Sequence, residues 1–436
     1  MHRSKVDLVI VGAGAAGLGA AITALERGLE FVVFEAGNRP GGRAFTDCGP
    51  FGFPWDAGCH WLHLASVNPF RRFAAVEGFR VRSTPTPWHP WVEGRVATDQ
   101  ERQAIDAYIA DSLTKAIAMG ERGEDVPLST VVNTTSRWFG DFRAMINAEW
   151  GVDPDFCSTL DLARYRDTEE DWPVEDSYGA LLLRVASPVL NGIELNTPVE
   201  SIAVSSSGVR VTTAEGAVEA GAVIVTASTN VLAEDVIAFD PILPLWKREA
   251  FSSVPLGSAN KVALLLTESA LCSVAEENFS VSIGSEQRMS IRLRPFGRNL
   301  ADEYLAGPKC AELEAAGKEM LIDVVTSALV SLLGSDVRNE ATGAAVSLWG
   351  TEPYMRGAYA AALPGLAGKR VDLRRQVGDR LSFAGEATSP EYFSTCHGAW
   401  ESGVSAAESV FEHIIGGARR GAKGVESKGV PDTPTA

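Results

Sequence analysis

The sequence predicts an α/β protein: a doubly wound sheet interrupted by a second, discontinuous domain of mixed α+β character. Three observations carry this. An aliphatic run at residues 6–11 leads into a glycine turn and a helical pattern. The same order of strand, glycine turn and small-residue helix returns near the other end, at residues 381–407. Between them lies a tryptophan-bearing stretch that follows neither pattern.

The opening unit reads element by element. Residues 6–11 have the length and unbroken aliphatic character of a buried strand. Residues 15–27 place Leu18, Ala21, Ile22 and Leu25 at helical spacing, and Gly28 closes the helix. A second strand at residues 31–34 ends at Glu35. Between strand and helix, Gly12, Gly14 and Gly17 form G-x-G-x-x-G, the mark of a Rossmann-like dinucleotide site. Gly12 permits the tight turn, Gly14 lets the backbone approach a diphosphate, and Gly17 lets the helix pack on the strand. The diphosphate would sit over Ala15 and Ala16, where unpaired N–H groups favour negative charge. Glu35, followed by Ala36, can accept both hydroxyls of an adenosine ribose and would repel a 2′-phosphate; it does not separate NAD from FAD. Gly41, Gly42 and Arg43 offer a second contact to the same diphosphate.

Residues 65–190 hold half of the ten tryptophans, with helical periodicity at 102–119 and 137–149. Strands are expected at 195–204, 209–213, 218–226 and 261–266. Residues 317–333 read as an amphipathic helix with Met320, Val324, Leu329 and Leu332 toward the core. Residues 381–384 resemble a parallel strand, and Gly385 follows. From residue 416 the chain is too poor in apolar groups to pack, and a disordered tail is expected over 416–436. The expected division is therefore discontinuous: 1–64, 190–260 and 370–415 in the nucleotide domain, 65–189 and 261–369 in a substrate domain.

Composition excludes several classes. The formal net charge of −17 over 436 residues argues against nucleic acid or anionic lipid as a partner. No run has the length and apolar character of a membrane span. Six scattered cysteines suggest reduced thiols and a cytoplasmic location. The histidines show no ligand spacing, so no metal is expected, and no G-x-S-x-G elbow occurs.

With these residues in view, the sequence resembles the flavin-containing amine oxidases, the family of monoamine oxidases, polyamine oxidases and flavin-dependent histone demethylases. The likeness is carried by GAGAAG with Glu35 and the GGR of residues 41–43. It continues in DAGCHWLH (56–63), TPVESI (197–202), GSANKVALLL (257–266) and PYMRGAY (353–359), and in FAGEATSPEYFSTCHGAWESGVSAA (383–407). The resemblance implies one extended FAD, with its adenosine end at the glycine turn, Glu35 and Arg43, and Val199 beside the adenine. Gly58, Cys59, His60 and Trp61 would border the cofactor. Gly385 and Glu386 would approach the diphosphate and ribityl chain, and Val404, read as opening the last helix, would donate to the flavin. STCHGA is similar to the polyamine-oxidase and demethylase form, with Thr395 where monoamine oxidases carry a tyrosine. No cysteine falls at 350–353, so noncovalent FAD is expected.

The resemblance gives Lys261 the part of holding a water against the flavin, and a lysine inside KVALLL is costly to bury without a role. His60 and His63 are candidates to contact or deprotonate an amine. The implied reaction is FAD-dependent oxidation of an amine C–N bond by dioxygen to an imine, then an aldehyde or ketone, with a released amine or ammonia and hydrogen peroxide. Two alternatives remain within redox chemistry: an L-amino-acid oxidase, for which Arg71, Arg72 or Arg356 would clamp a carboxylate, and an isoprenoid- or carotenoid-type desaturase. A non-catalytic flavin-binding interaction protein is a third. Self-association into a homodimer is left open. Two departures mark the family pattern: VIVTASTNVL (223–232) lacks a loop proline, and Leu64 and Ala65 follow His63 where glycine is usual.

Overall fold

The computed structural model describes residues 5–272, 274–283 and 287–426. Two sheets organise it. The first runs Ala238–Asp240, Val199–Val204, Val209–Thr213, Gly216–Val225, Lys5–Val11, Phe31–Phe34, Ile193–Glu194, and Leu381–Phe383 also pairs with Gly216–Val225. Lys5–Val11 is parallel to both of its neighbours, and Val223, Ile224 and Val225 lie opposite Leu381, Ser382 and Phe383 in parallel register. The first and last segments of the fold thus meet on one strand.

The unbroken aliphatic run at the start follows from burial on both faces. Leu8 and Ile10 enter one core cluster, Val6, Val9 and Val11 the other. On the first face, helix Ala15–Glu26 packs against helix Cys396–Glu426. The approach is close because small residues meet: a Cβ on Gly403 would lie 1.9 Å from the carbonyl oxygen of Ala16. A Cβ on Gly17 would lie 1.8 Å from that of Gly12, which is the helix-on-strand contact expected from the motif.

The second sheet runs Ala341–Val346, Ala259–Leu266, Leu300–Ala306, Gln287–Leu293, Glu277–Ile283, Trp88–Val92, Arg95–Val96. Its pleat separates two environments. Val262, Leu264, Ile291 and Leu305 face helix Lys318–Leu333 and share a core with it. Lys261 and Tyr304, directly opposite each other, face the other way.

The structure corrects several expectations. In helix Lys318–Leu333 the buried row is Leu321, Val325, Ala328 and Leu329, whereas Met320 is exposed; adjacent apolar rows are indistinguishable by period alone. The strand expected at 195–204 starts only at Val199 and runs to Val204, because Asn196 takes φ 53° in the turn before Pro198. Phe70, Ala74, Val174 and Tyr178, expected in the second domain, pack in the core under the first sheet. The last helix begins at Cys396, so Val404 lies well inside it rather than opening it. That helix continues to Glu426, into the stretch expected to be without structure, while 427–436 lie outside the described residues. Among the described residues no helix is long and apolar enough to cross a membrane.

Candidate active site

One cavity of about 1030 Å³ passes from the glycine turn to the inner face of the second sheet. At one end it is lined by Gly12, Gly14, Ala15, Ala16, Glu35, Ala36, Gly41, Gly42 and Arg43, with Val199 opposite. Glu35 is buried, and its carboxylate accepts from the N–H groups of Ala13 and Gly37, both at 2.7 Å. Helix Ala15–Glu26 starts at Gly14, which supplies no side-chain cap, so its N-terminal N–H groups are left for a ligand in the cavity. Gly385 lines the same space, and a Cβ built there meets nothing within 4 Å. A long cavity with an uncapped helix end, a buried acceptor and open space at Gly385 fits an extended dinucleotide.

The middle of the cavity joins the two ends of the chain. Arg43 pairs with Glu386 at 2.9 Å and also donates to the carbonyl of Ala358. Glu386 is buried and accepts in addition from the N–H groups of Ala360 and Ser394. Gly58, Cys59, His60, Trp61 and Thr395 line this part, and Cys396 joins them. Val404 does not line the cavity; it packs against the core under the first sheet, its N–H inside the helix.

At the far end Lys261 is buried and donates to the backbone carbonyl of Asp56 at 2.9 Å. Burial, aided by the Arg292 charge, lowers its pKa to about 7. A group poised there can hold or release a proton near neutrality.

The two histidines separate clearly. His60 is buried; Arg292 donates to its Nε2, and its Nδ1 lies 3.4 Å from the Asp56 carboxylate. Arg292 is in turn paired with Asp302, which also accepts from the Trp55 indole at 2.9 Å. Desolvation and the Arg292 charge push His60 well below the usual imidazole range, so it stays neutral with its lone pair occupied. His63 lines the cavity with Nδ1 at 2.9 Å from Asp171. Burial pulls its pKa down, but the Asp171 hydrogen bond and charge outweigh this and raise it.

Glu149, in the last turn of helix Phe139–Trp150, was not foreseen. Its exposed surface opens into the cavity, enclosed by protein, and desolvation followed by the charges of Asp167 and Asp171 raises its pKa to about 8. An acid at the C-terminal end of a helix, where the dipole disfavours it, is the sequence signal that could have found it. Tyr304 and Tyr359 touch through their hydroxyls, and both donate to the carbonyl of Ala148 beside it.

The departures from the family pattern have local solutions. Ser228 donates to the Met355 carbonyl at 2.7 Å and Asn230 to that of Arg356 at 2.6 Å, fastening the loop that lacks proline. Leu64 adopts φ 54°, a left-handed conformation strained for a branched side chain. None of Arg71, Arg72 and Arg356 lines the cavity: Arg71 stacks on Trp172, Arg72 is exposed, and Arg356 pairs with Glu234. Besides Arg43, the arginines that line the cavity are Arg102, Arg288 and Arg292, paired with Asp99, Asp141 and Asp302, and the charge of Arg292 acts on Lys261. Among the described residues no cluster of three or more His, Cys, Asp or Glu could hold a metal.

Such an arrangement, a dinucleotide cradle leading to a buried lysine and an enclosed acidic end, defines a flavin-type oxidoreductase site. Comparison with known proteins agrees. The profile described as "Flavin containing amine oxidoreductase" matches residues 92–411, and an "NAD(P)-binding Rossmann-like domain" profile matches residues 10–75. The chain belongs to the flavin-containing amine oxidoreductase family. It is 25% identical to polyamine oxidase 4 of Oryza sativa subsp. japonica, covering 98% of this chain and 91% of that one. It is 25% identical to polyamine oxidase 2 of Arabidopsis thaliana, covering 95% and 90%. A solved structure of a putrescine oxidase redesigned in its cofactor binding superposes with a TM-score of 0.77 at 20% identity, over 93% of this chain and 99% of that one, which shows the shared fold. The protein is thus an FAD-dependent enzyme of amine-to-imine chemistry that yields hydrogen peroxide.

Proposed function

We propose that the substrate is an aliphatic amine with more than one cationic nitrogen, a polyamine-type molecule, and that FAD is held without a covalent bond. The observation that carries the substrate class is the enclosed acidic end formed by Glu149, Asp167 and Asp171 beyond Lys261. A carboxyl held protonated only by burial and like charge becomes a carboxylate when a cation enters, so charge complementarity selects an ammonium group. Relatives named polyamine oxidases and a fold neighbour titled putrescine oxidase support the same class.

Bound FAD supplies the acceptor for the hydride equivalents of the amine. The chain's own groups do the rest. Glu149 anchors a remote ammonium, while Tyr304, Tyr359 and Trp150 pack the methylenes between. His63, fixed through Nδ1 by Asp171, presents Nε2 to the incoming amine. Lys261 Nζ accepts a proton near neutrality and orients water, keeping the reacting nitrogen unprotonated. His60 acts as structure, its Nε2 taken by Arg292. The imine product is then hydrolysed to an aldehyde and a shorter amine.

The amino-acid reading needs a free guanidinium, and Arg288 and Arg292 each already face a carboxylate. A peroxide-coupled comparison of diamines and triamines with monoamines and amino acids tests the proposal. Turnover that prefers the extra cation supports it, and equal or better turnover of amino acids overturns it.

A further inference from the structure

Two thiols face each other in the wall of the flavin cavity. Cys59 comes from the loop before Trp61–Leu62, and Cys396 is the first residue of the last helix. Both line the cavity and pack on the same core cluster, and no disulfide joins them. The two side chains act directly on each other, each shifting the other's proton affinity, and Tyr178 adjoins Cys396. Packing alone does not account for two free cysteines, 337 positions apart, meeting where peroxide is made.

We propose that Cys59 and Cys396 are a site of reversible oxidation, closing to a disulfide in response to the hydrogen peroxide that the enzyme's own amine-oxidase activity releases.

The two sulfurs are unequal. The interaction with Cys396, with the nearby positive charges of Arg43 and Lys261, lowers the Cys59 pKa against its burial, while the same interaction and burial raise that of Cys396. Cys59 is therefore the attacking thiolate. Its sulfur bonds to one peroxide oxygen, the O–O bond breaks and hydroxide leaves, giving a sulfenic acid. The Cys396 sulfur then attacks the sulfenic sulfur, the S–O bond breaks and water leaves. Two thiols and one peroxide become one disulfide and two waters; the sulfurs are oxidised and the peroxide reduced. The bond ties the loop carrying His60 and His63 to the start of the helix behind the flavin motif.

The test uses the full chain with FAD bound, treated with hydrogen peroxide and, in a parallel sample, turned over on a diamine. Free thiols are then blocked, and the digest is mapped by mass spectrometry without reduction. A Cys59–Cys396 linked peptide, two fewer free thiols per chain and reversal by dithiothreitol are expected in both samples, with catalase suppressing the turnover sample. In Cys396→Ser the same treatment should carry Cys59 on to sulfinic acid. FAD content, read from the visible spectrum, shows that this variant has folded. Peroxide that oxidises the exposed Cys48 and Cys272 while Cys59 and Cys396 stay free, or that gives no linked peptide, overturns the proposal. Linkage by added peroxide but none during turnover overturns the link to the enzyme's own product. The map requires no assumption about the preferred amine, so its failure is separate from failure of the substrate proposal.

Discussion

Arg43 and Glu386 pair at 2.9 Å across 343 positions of sequence, fastening the nucleotide-binding turn to the C-terminal flavin motif. Replacing Arg43 by methionine leaves a buried carboxylate with two backbone donors and no cation. A charge-assisted hydrogen bond is worth roughly 1.5–3 kcal/mol, so the affinity for FAD should fall about 10- to 100-fold. Titration of the apoprotein with FAD, read by flavin fluorescence, measures it; unchanged affinity would separate the pair from cofactor binding.

Lys261 should set an ascending limb. Its pKa near 7 means that the rate at which amine reduces the enzyme rises with pH through that value as Nζ loses its proton. Lys261→Met should slow this step by about 10²- to 10⁴-fold and flatten the limb while keeping FAD. Stability rises with pH as well: a lysine lowered from 10.5 carries its burial penalty below pH about 7 and loses it as pH rises toward 10.5. The methionine variant should therefore gain melting temperature at pH 6 and little at pH 10. Stopped-flow reduction and thermal melts across pH check both.

Glu149→Gln should raise KM for a diamine about 10- to 100-fold with a smaller change in kcat, the signature of binding lost remotely from the reacting bond. Because the free carboxyl titrates near 8, cation binding to the native protein at pH 7 should release a proton, and the glutamine variant should not. Calorimetry in two buffers of different ionisation enthalpy reads that proton directly.

The buried pair Asp161–Arg370 joins helix Thr159–Arg164 to helix Lys369–Arg374. Arg370 donates to Asp161 at 2.5 and 2.7 Å and to the carbonyls of Ala360 and Ala387. Asp161→Ala leaves the guanidinium buried without its counter-ion and should cost about 3–5 kcal/mol. Urea unfolding measures the loss.

These pairings also show what the sequence could and could not display. The glycine turn, Glu35 and Gly385 were legible because backbone geometry at a diphosphate demands particular residues within a few positions. Lys261 was legible because a lone cation in an aliphatic strand stands out. Arg292, Asp302 and Tyr304 were not, since they look like ordinary alternating strand residues until the sheet places them opposite His60 and Lys261. His60 and His63 are neighbours in sequence but differ entirely in environment, which rests on Arg292 and Asp171 far along the chain. Val404 was misplaced because small residues allow the helix to begin earlier, at Cys396.

Glu303 tests the apolar side of the same sheet. It lies opposite Val262 and Ile291, is fully buried, and neither carboxyl oxygen has a partner among the described residues. Desolvation raises its pKa well above the usual range, so the unfolded chain loses this proton first and stability falls as pH rises above about 4.5. Glu303→Leu should stabilise by about 1–3 kcal/mol, more at pH 8 than at pH 4.5. Denaturant midpoints at the two pH values decide it.

Anaerobic mixing of the flavin-loaded protein with a diamine or triamine tests most directly whether one FAD threads the cavity and takes electrons from an amine held at the acidic end. The visible flavin band should bleach and return on admitting oxygen, with peroxide formed in step. A flavin band that no such amine bleaches would contradict it.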